Sequence, residues 1–217
     1  MIDLVLYHFP GACSQVAVCA LEMARLPYRI ELIDLTKGAQ TEESYLNVSP
    51  LGKVPTLIID GFPLAENAAI LTYIAAIAPT AGIFPADPTP FAAAEAVGGL
   101  SFCSGTLHPQ VRGLANPARL STGDPEGVRA QSRVLLAKSL GYAEQRLADR
   151  HWWLRELSIV DVYLNWAVSV ARRNGFDFSA YSHLEGLPAK LRSSLPAFVA
   201  MEAESTASRA SLGLAAV

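Results

Sequence analysis

The chain has 217 residues and a formal net charge of −3, and 51% of its residues are hydrophobic. Charged residues make up 17%, below the roughly 25% of an average globular protein, so the composition excludes a disordered chain. At about 150 residues per domain, the length allows one or two domains. The slightly acidic balance, without a run of Lys or Arg, argues against nucleic acid or an anionic membrane as the main partner.

Targeting and redox features point to the cytoplasm. The longest apolar stretch, residues 68–78, is too short to span a membrane and ends at Pro79. The first nine residues contain Asp3 and no basic segment before an apolar one, so they do not have the pattern of a signal peptide. An odd number of cysteines, three, does not predict a disulfide framework.

The first eighty residues alternate between strand and helix patterns. The first strand is predicted to end at the turn Pro10-Gly11, and Leu26-Pro27 is predicted to end the first helix. Apolar residues at i, i+3, i+4 and i+7 predict helices, and alternation predicts strands. The predicted strands are residues 2–7, 28–32, 56–59 and 62–64. One predicted helix ends at about residue 25 and another covers about 66–78, while residues 40–47 are predicted to form a short helix or an irregular turn. This order predicts an α/β domain with a mixed sheet.

A proline-rich segment, residues 80–90, is predicted to be a linker, and no strand pattern follows it. The predicted domains are therefore residues 1–79, α/β, and residues 91–217, all-α. Helices are predicted over about 90–111 and over 125–150, the second with Asp124 as its N-cap and proline at its first position. A third begins after a capping box of Ser158 and Asp161 and runs to about 173, and two short helices are predicted to start at Pro188 and Pro196.

Cys13 lies in the predicted turn between the first strand and the first helix. Unpaired N–H groups and the positive end of the helix dipole would favour the thiolate there and lower the pKa of Cys13. The alternative is a small buried residue in a tight turn. No second cysteine stands at the spacing of a dithiol motif, so redox chemistry through Cys13 would need an external thiol. Cys19 and Cys103 lie in apolar helical patterns and are predicted to be core residues.

Two further segments are candidates for ligand binding. Val54-Pro55 enters a predicted strand and is a candidate cis peptide that would leave the Val54 backbone free to pair with an extended ligand. The alternative is a proline that only starts the strand. Glu66 and Asn67 open the third predicted helix, whose N–H groups can hold a carboxylate while Glu66 accepts from an ammonium group. The alternative is an acidic residue that complements the helix dipole.

His108 follows Leu107 in the first helix of the all-α part, where an imidazole can hydrogen-bond a thiol or a thiolate. The alternative is a helix-end histidine with its bonds satisfied inside the fold. His8, His151 and His183 have no spacing that suggests a metal site. Acidic residues form no paired-carboxylate pattern and glycines form no phosphate loop, so neither a metal nor a nucleotide is predicted.

Three segments in this order, PGACS at residues 10–14, GKVP at 52–55 and AENAAI at 65–70, together with Leu107-His108 and the capping box, resemble the cytosolic glutathione transferases. The resemblance covers nearly the whole chain and is greatest to the bacterial beta class. It implies a thioredoxin-like domain that binds glutathione, an all-α domain that shapes a site for a hydrophobic co-substrate, and a homodimer. His8 stands where other classes keep a catalytic tyrosine.

The resemblance also implies roles for single residues. Cys13 would be the thiol beside the glutathione sulfur, with Ser14 as the alternative donor, and His108 would lie near the thiols. The remaining implied glutathione contacts are the Val54 backbone before Pro55 for the cysteinyl part, Glu66 and Asn67 for the γ-glutamyl end, Ser101 as a polar ligand, and Lys37 for the glycyl carboxylate.

Two reactions fit these residues: conjugation of glutathione to a hydrophobic electrophile, and thiol–disulfide exchange through Cys13. A cysteine at the helix start favours a capacity for exchange, because conjugation needs only a hydrogen-bond donor there. A non-catalytic binding module with the same fold is the alternative function. The joint presence of Cys13, Glu66, Asn67 and His108 argues against it, since a scaffold needs none of them.

Overall fold

The computed structural model describes residues 2–87 and 89–215. Its contacts group the chain into two compact units. The first unit comprises Met1–Ile83 together with Leu195–Val217, and the second comprises Phe84–Ser194. The last segment therefore belongs to the first unit, whereas the sequence pattern placed residues 91–217 in one all-α domain. The division into functional domains at residues 80–90 stays a prediction.

A mixed sheet forms the centre of the first unit. Within the described ranges its strands are β1 (Leu4–His8), β2 (Arg29–Leu32), β3 (Thr56–Ile59) and β4 (Phe62–Ala65). They lie in the order β2-β1-β3-β4, with β2 parallel to β1 and both β3 and β4 antiparallel to their neighbours. Leu6 in β1 lies opposite Ile30 and Leu57 and is fully buried. The predicted thioredoxin-like α/β sheet is confirmed.

Four α-helices in the described part of the first unit surround its core. They are α1 (Ser14–Ala24), α2 (Glu43–Leu46), α3 (Asn67–Ile77) and α9 (Pro196–Ser211). Of these, α1 and α3 pack on the sheet. Helix α1 ends at Ala24, and its C-cap residue Arg25 adopts φ 51° just before Leu26-Pro27. Helix α9 packs against α1, which is why the end of the chain groups with the first unit.

In the described part of the chain, all regular secondary structure of the second unit is helical. Its helices are α4 (Pro90–Ser101), α5 (His108–Ala115), α6 (Pro125–Arg150), α7 (Ile159–Arg173) and α8 (Ser182–Ser194). A π-helical segment, Phe102–Leu107, joins α4 to α5. The predicted N-caps are present, since the Asp124 side chain accepts from the Gly127 N–H and the capping box at the start of α7 is complete.

The prediction that a helix starts at Pro188 is wrong, because Pro188 lies inside α8. The helix begins at Ser182, where the carboxylate of Glu144 on α6 accepts from the backbone N–H groups of His183 and Leu184, both at 2.9 Å. These bonds satisfy donors that a helix start leaves unpaired. Because the cap comes from another helix, the local sequence does not reveal this boundary.

Two adjacent glycines in α4 provide a matched test of the packing in the second unit. A Cβ at Gly99 would lie 2.7 Å from Trp153 Nε1 and 2.8 Å from Val160 Cγ1, whereas a Cβ at Gly98 would meet nothing within 4 Å. We expect Gly99→Ala to lower the free energy of unfolding by about 1–3 kcal/mol through overpacking. Gly98→Ala should raise it by about 0.5–1 kcal/mol through helix propensity. Urea unfolding would measure both, and equal effects would contradict this packing.

Candidate functional site

The Cys13 turn, residues 9–14, connects β1 to α1. Its backbone closes by a hydrogen bond of 3.0 Å from the Ala12 N–H to the Phe9 carbonyl, and Gly11 adopts φ 89°, which favours glycine. Cys13 is the N-cap residue of α1, as the sequence predicts. Its thiol donates to the Val54 carbonyl at 3.7 Å, and the side chain is 6% exposed.

The segment before β3 lies directly beside this thiol. The Val54–Pro55 bond is cis, which confirms the expected geometry. The Tyr45 hydroxyl donates to the Lys53 carbonyl at 2.6 Å, and the Ser49 hydroxyl donates to the same oxygen at 3.1 Å. These bonds hold the backbone at Val54 in position against Cys13.

The start of α3 completes this side of the first unit. The Asn67 side-chain amide donates to the Cys13 carbonyl at 2.9 Å, and Asn67 is buried. Asn67 therefore supports the Cys13 turn. Glu66 is exposed and adopts φ 69°, a conformation that costs a residue with a Cβ about 1–3 kcal/mol and is most common at functional sites. The Glu66 carboxylate is therefore accessible to a ligand, whereas Asn67 is buried.

Ser14 is turned into the fold. It is fully buried, and its hydroxyl lies 2.8 Å from His8 Nδ1 and 3.3 Å from both the N–H and the carbonyl of Phe9. On the far side of the imidazole, His8 Nε2 lies 3.4 Å from Oε2 of Glu204 on α9. The hydroxyl of Ser208, one turn further along α9, donates to Glu204 Oε1. Among the predicted donors, Cys13 is thus closer to an accessible surface than Ser14.

Burial changes the titration of several of these groups. It lowers the pKa of His8 to about 4, so the imidazole is neutral at pH 7. Burial raises the pKa of Glu204, and the nearby charge of Glu22 acts in the same direction, against a hydrogen bond from Ser208. Burial also raises the pKa of the Cys19 and Cys103 thiols far above its ordinary value. Both therefore stay protonated, as expected of core cysteines.

The lowered pKa of His8 predicts an acid-sensitive fold. Between pH 6.5 and about 4 the unfolded chain binds a proton that the folded chain does not, so stability falls as the pH falls through this range. The loss amounts to about 3 kcal/mol at its full extent. We expect His8→Gln to remove this component, measured as the difference in unfolding free energy between pH 7 and about 4.5. His183→Gln, at an exposed position, is the control, and an unchanged pH slope in His8→Gln would contradict the prediction.

Of the remaining predicted residues, Lys37 lies in the first unit, and Ser101 and His108 lie in the second. The Lys37 side chain is 77% exposed, and its ammonium pairs with Asp34 at 3.2 Å. Ser101 is the exposed last residue of α4, and His108 is the first residue of α5. The π-helical segment separates the two, and such segments are frequent at functional sites.

Aromatic residues of α7 surround His108 in the second unit. His108 Nδ1 lies 3.4 Å from the Tyr163 hydroxyl, and its ring centroid lies 4.5 Å from that of Trp166. The sequence indicates neither contact, because Tyr163 and Trp166 have the spacing of ordinary core residues. The structure thus groups Cys13 with Val54 and Asn67 in one unit and His108 with two aromatic residues in the other.

Two general findings apply to the described residues, 2–87 and 89–215. No helix among them combines the length and the apolar character needed to cross a membrane. No group of three or more His, Cys, Asp or Glu side chains in these ranges could hold a metal ion.

Comparison with known proteins connects this geometry to a family. Residues 2–76 match the family model of the glutathione S-transferase N-terminal domain. A glutathione S-transferase of Xanthomonas campestris is 29% identical over 206 residues, which cover 92% of this chain and 98% of that protein. A maleylacetoacetate isomerase of Pseudomonas aeruginosa is 28% identical over 199 residues, which cover 89% of this chain and 92% of its own.

Solved structures extend the likeness to both units. A sphingomonad glutathione S-transferase complexed with glutathione is 30% identical, with a TM-score of 0.81 over 93% of this chain and 98% of that one. A bacterial beta class enzyme from Sphingomonas chungbukensis is 29% identical, with a TM-score of 0.80 and the same coverage, 93% and 98%. The chain therefore belongs to the cytosolic-type glutathione S-transferase family and is similar to its bacterial beta class.

Proposed function

We propose that the protein binds glutathione and transfers it to hydrophobic electrophiles, and that it also carries out thiol–disulfide exchange through Cys13. The observation that carries this proposal is the Cys13 thiol, held at the start of α1 within 3.7 Å of the Val54 carbonyl. A cysteine at a helix start suits attack on a disulfide, since the helix favours its thiolate. The sphingomonad relative complexed with glutathione supports the choice of thiol.

The binding roles follow from what each residue offers. The Val54 backbone, beside Pro55, pairs with the cysteinyl part of glutathione, and this places the glutathione sulfur next to Cys13. The exposed Glu66 carboxylate accepts from the γ-glutamyl ammonium at the start of α3. Asn67 is the second proposed ligand of this end, since its amide nitrogen binds the Cys13 carbonyl while its side-chain oxygen has no hydrogen-bond partner among the described residues. Lys37, Ser101 and His108 are the further proposed ligands.

Each reaction has a defined balance of bonds. In conjugation, the glutathione thiolate attacks the carbon of the electrophile, a carbon–sulfur bond forms, and the leaving group departs with its electron pair. In exchange, the Cys13 thiolate attacks the glutathione sulfur of a mixed disulfide and releases the other thiolate. A second glutathione thiolate then attacks that sulfur, which frees Cys13 and forms glutathione disulfide.

The isomerase relative favours a second candidate reaction. A thiolate that adds to a double bond conjugated with a carbonyl forms a carbon–sulfur bond and moves the electron pair of the double bond onto the carbonyl oxygen as an enolate. The former double bond is then a single bond and rotates, and the return of the electron pair reforms the double bond and expels the thiolate. The same bound glutathione would thus isomerise an unsaturated acid with no net consumption. This candidate reaction needs no attack by Cys13. A Cys13 variant should therefore keep isomerisation and lose disulfide exchange.

The partners proposed for this chain are glutathione, a small hydrophobic electrophile or disulfide, and a second copy of itself. Exposed apolar side chains support the homodimer, among them Leu51 and Phe62 in the first unit, which are 67% and 76% exposed. Neither nucleic acid nor a membrane is proposed as a partner, and the proposed location is the cytoplasm.

The proposal is tested by retention on a glutathione matrix together with turnover of three probes: a model aryl halide, a glutathione mixed disulfide and a cis-unsaturated diketo acid. We expect retention and turnover of the first two. Turnover of the third alone would favour the isomerase. Absence of retention and of all turnover would leave the fold as a non-catalytic module and overturn the proposal.

A further inference from the structure

A buried line of polar groups connects the Cys13 turn to α9. It runs from the Phe9 backbone through the Ser14 hydroxyl and the His8 imidazole to the Glu204 carboxyl group, with distances of 3.3, 2.8 and 3.4 Å. Ser14 and His8 are fully buried, and the Glu204 side chain is 19% exposed. We call Ser14, His8 and Glu204 the hydrogen-bond relay. All of it lies within the first unit.

His8 Nε2 and Glu204 Oε2 face each other at 3.4 Å, and both atoms are buried and form no hydrogen bond within the described part of the structure, so a hydrogen shared between them is what would satisfy both. With Glu204 ionised, this hydrogen would be on His8 Nε2, which leaves Nδ1 unprotonated to accept from the Ser14 hydroxyl. The Ser14 oxygen in turn accepts from the Phe9 N–H. Every hydrogen in this arrangement points from the Cys13 turn towards α9.

With Glu204 protonated, the opposite arrangement would satisfy the same atoms. The carboxyl O–H would donate across the 3.4 Å contact to His8 Nε2, and His8 Nδ1–H would donate to the Ser14 oxygen. The Ser14 hydroxyl then donates to the Phe9 carbonyl, which lies at 3.3 Å, the same distance as the Phe9 N–H. The relay has taken up one proton from solvent, and the neutral imidazole has exchanged its hydrogen from Nε2 to Nδ1.

The surrounding charges decide where that proton is bound. Glu22 on α1 is the acidic neighbour of Glu204, and its carboxylate accepts from the Tyr28 hydroxyl at 2.7 Å. Ser208 is the hydrogen-bond donor from α9 itself. Glu22 and burial favour the neutral form of Glu204, whereas burial keeps His8 neutral down to a pH of about 4. On acidification Glu204 therefore takes up its proton before His8 becomes an imidazolium ion.

We propose that the hydrogen-bond relay is a two-state element in which protonation of Glu204 transfers the Ser14 hydroxyl from His8 to the Phe9 carbonyl of the Cys13 turn. The same carbonyl accepts from the Ala12 N–H, so the change acts on the hydrogen bonds that fix the residue next to Cys13. Glu204 and His8 are thus positioning residues for Cys13, and this last step rests on the proposed function.

The relay is tested directly by long-range 1H–15N spectra of the histidine rings between pH 4.5 and 8, with His8→Gln to assign the His8 signals. We expect the Nε2–H form at high pH and the Nδ1–H form at low pH. Glu204→Gln should hold one form throughout. Glu202→Gln, which removes a charge from α9 about 200° around the helix, should behave as the wild type. A single form in the wild type, an imidazolium ion in this range, or a switch that survives in Glu204→Gln would overturn the proposal.

Two further measurements separate positioning from stability. Ser208→Ala removes a hydrogen bond that favours ionised Glu204, so the switch should move to higher pH by about half a unit, and it serves if Glu204→Gln does not fold. The pH profile of kcat for disulfide exchange should lose one step in Glu204→Gln, with KM for glutathione changed less than about twofold. An unchanged profile would refute the positioning role alone. A protein without turnover would refute the proposed function, while the spectra still decide the relay.

Discussion

Replacing Cys13 with alanine is expected to lower the kcat of thiol–disulfide exchange by about a thousandfold or more, because the reacting thiolate is lost. Conjugation should fall only about tenfold, the equivalent of one hydrogen bond to the glutathione thiolate. Cys13→Ser keeps a hydroxyl donor at the same place and should conjugate within about threefold of the wild type, with exchange still lost. Parallel assays with an aryl halide and a mixed disulfide would measure the split.

Cys103→Ala is the control for this pair, since Cys103 is fully buried in the second unit and its thiol donates to a backbone carbonyl there. It should retain both activities per folded molecule. Exchange that persists in Cys13→Ala would remove Cys13 from the reaction. If both activities disappear in Cys13→Ser, one thiol serves both reactions and the proposed division between them fails.

The largest effect on stability is expected at the start of α7. The buried Asp161 carboxylate accepts from the Trp153 N–H at 2.8 Å and from the N–H and hydroxyl of Ser158 at 3.0 and 3.1 Å. Asp161→Ala leaves the two N–H groups buried without an acceptor, and such groups cost about 1–3 kcal/mol each. We therefore expect the free energy of unfolding to fall by about 4 kcal/mol.

Urea unfolding followed by circular dichroism would measure this loss. Asp161→Asn keeps one oxygen acceptor and should lose roughly half as much. Asp149→Ala removes an exposed carboxylate of α6 and should change stability by less than about 0.5 kcal/mol. An equal effect of Asp161→Ala and Asp149→Ala would mean that the capping box does not stabilise the second unit.

The features that the sequence predicts here are local ones. An apolar run indicates β1 and alternation indicates β2, and side-chain exposure alternates along both of these strands. Cys13 is found because a strand, a turn and an apolar helix follow one another within a few residues. The cis bond at Val54–Pro55 is likewise suggested by a proline at the start of a strand. Short-range chemistry determines each of these.

The features that the sequence does not predict depend on partners distant along the chain. Glu204 looks like any acidic residue of an amphipathic helix until α9 packs on α1 and brings it to His8. Glu144 caps α8 from another helix. The role of Ser14 also follows only from the fold, because its hydroxyl is equally suited to a ligand until His8 and Phe9 bind it. Hydrophobic periodicity identifies the apolar face of a helix but does not predict which element packs against that face.

The packing of α9 on α1 has a consequence for synthesis of the protein. The ribosome makes the sheet and α1 before Phe84–Ser194, and it makes α9, the helix that packs on α1, only after that segment. The thioredoxin-like unit therefore waits for the whole of Phe84–Ser194 before its own core is closed. A nascent chain halted before Leu195 lacks α9 and leaves the apolar face of α1 that α9 covers exposed, and transiently exposed apolar surface of this kind promotes aggregation.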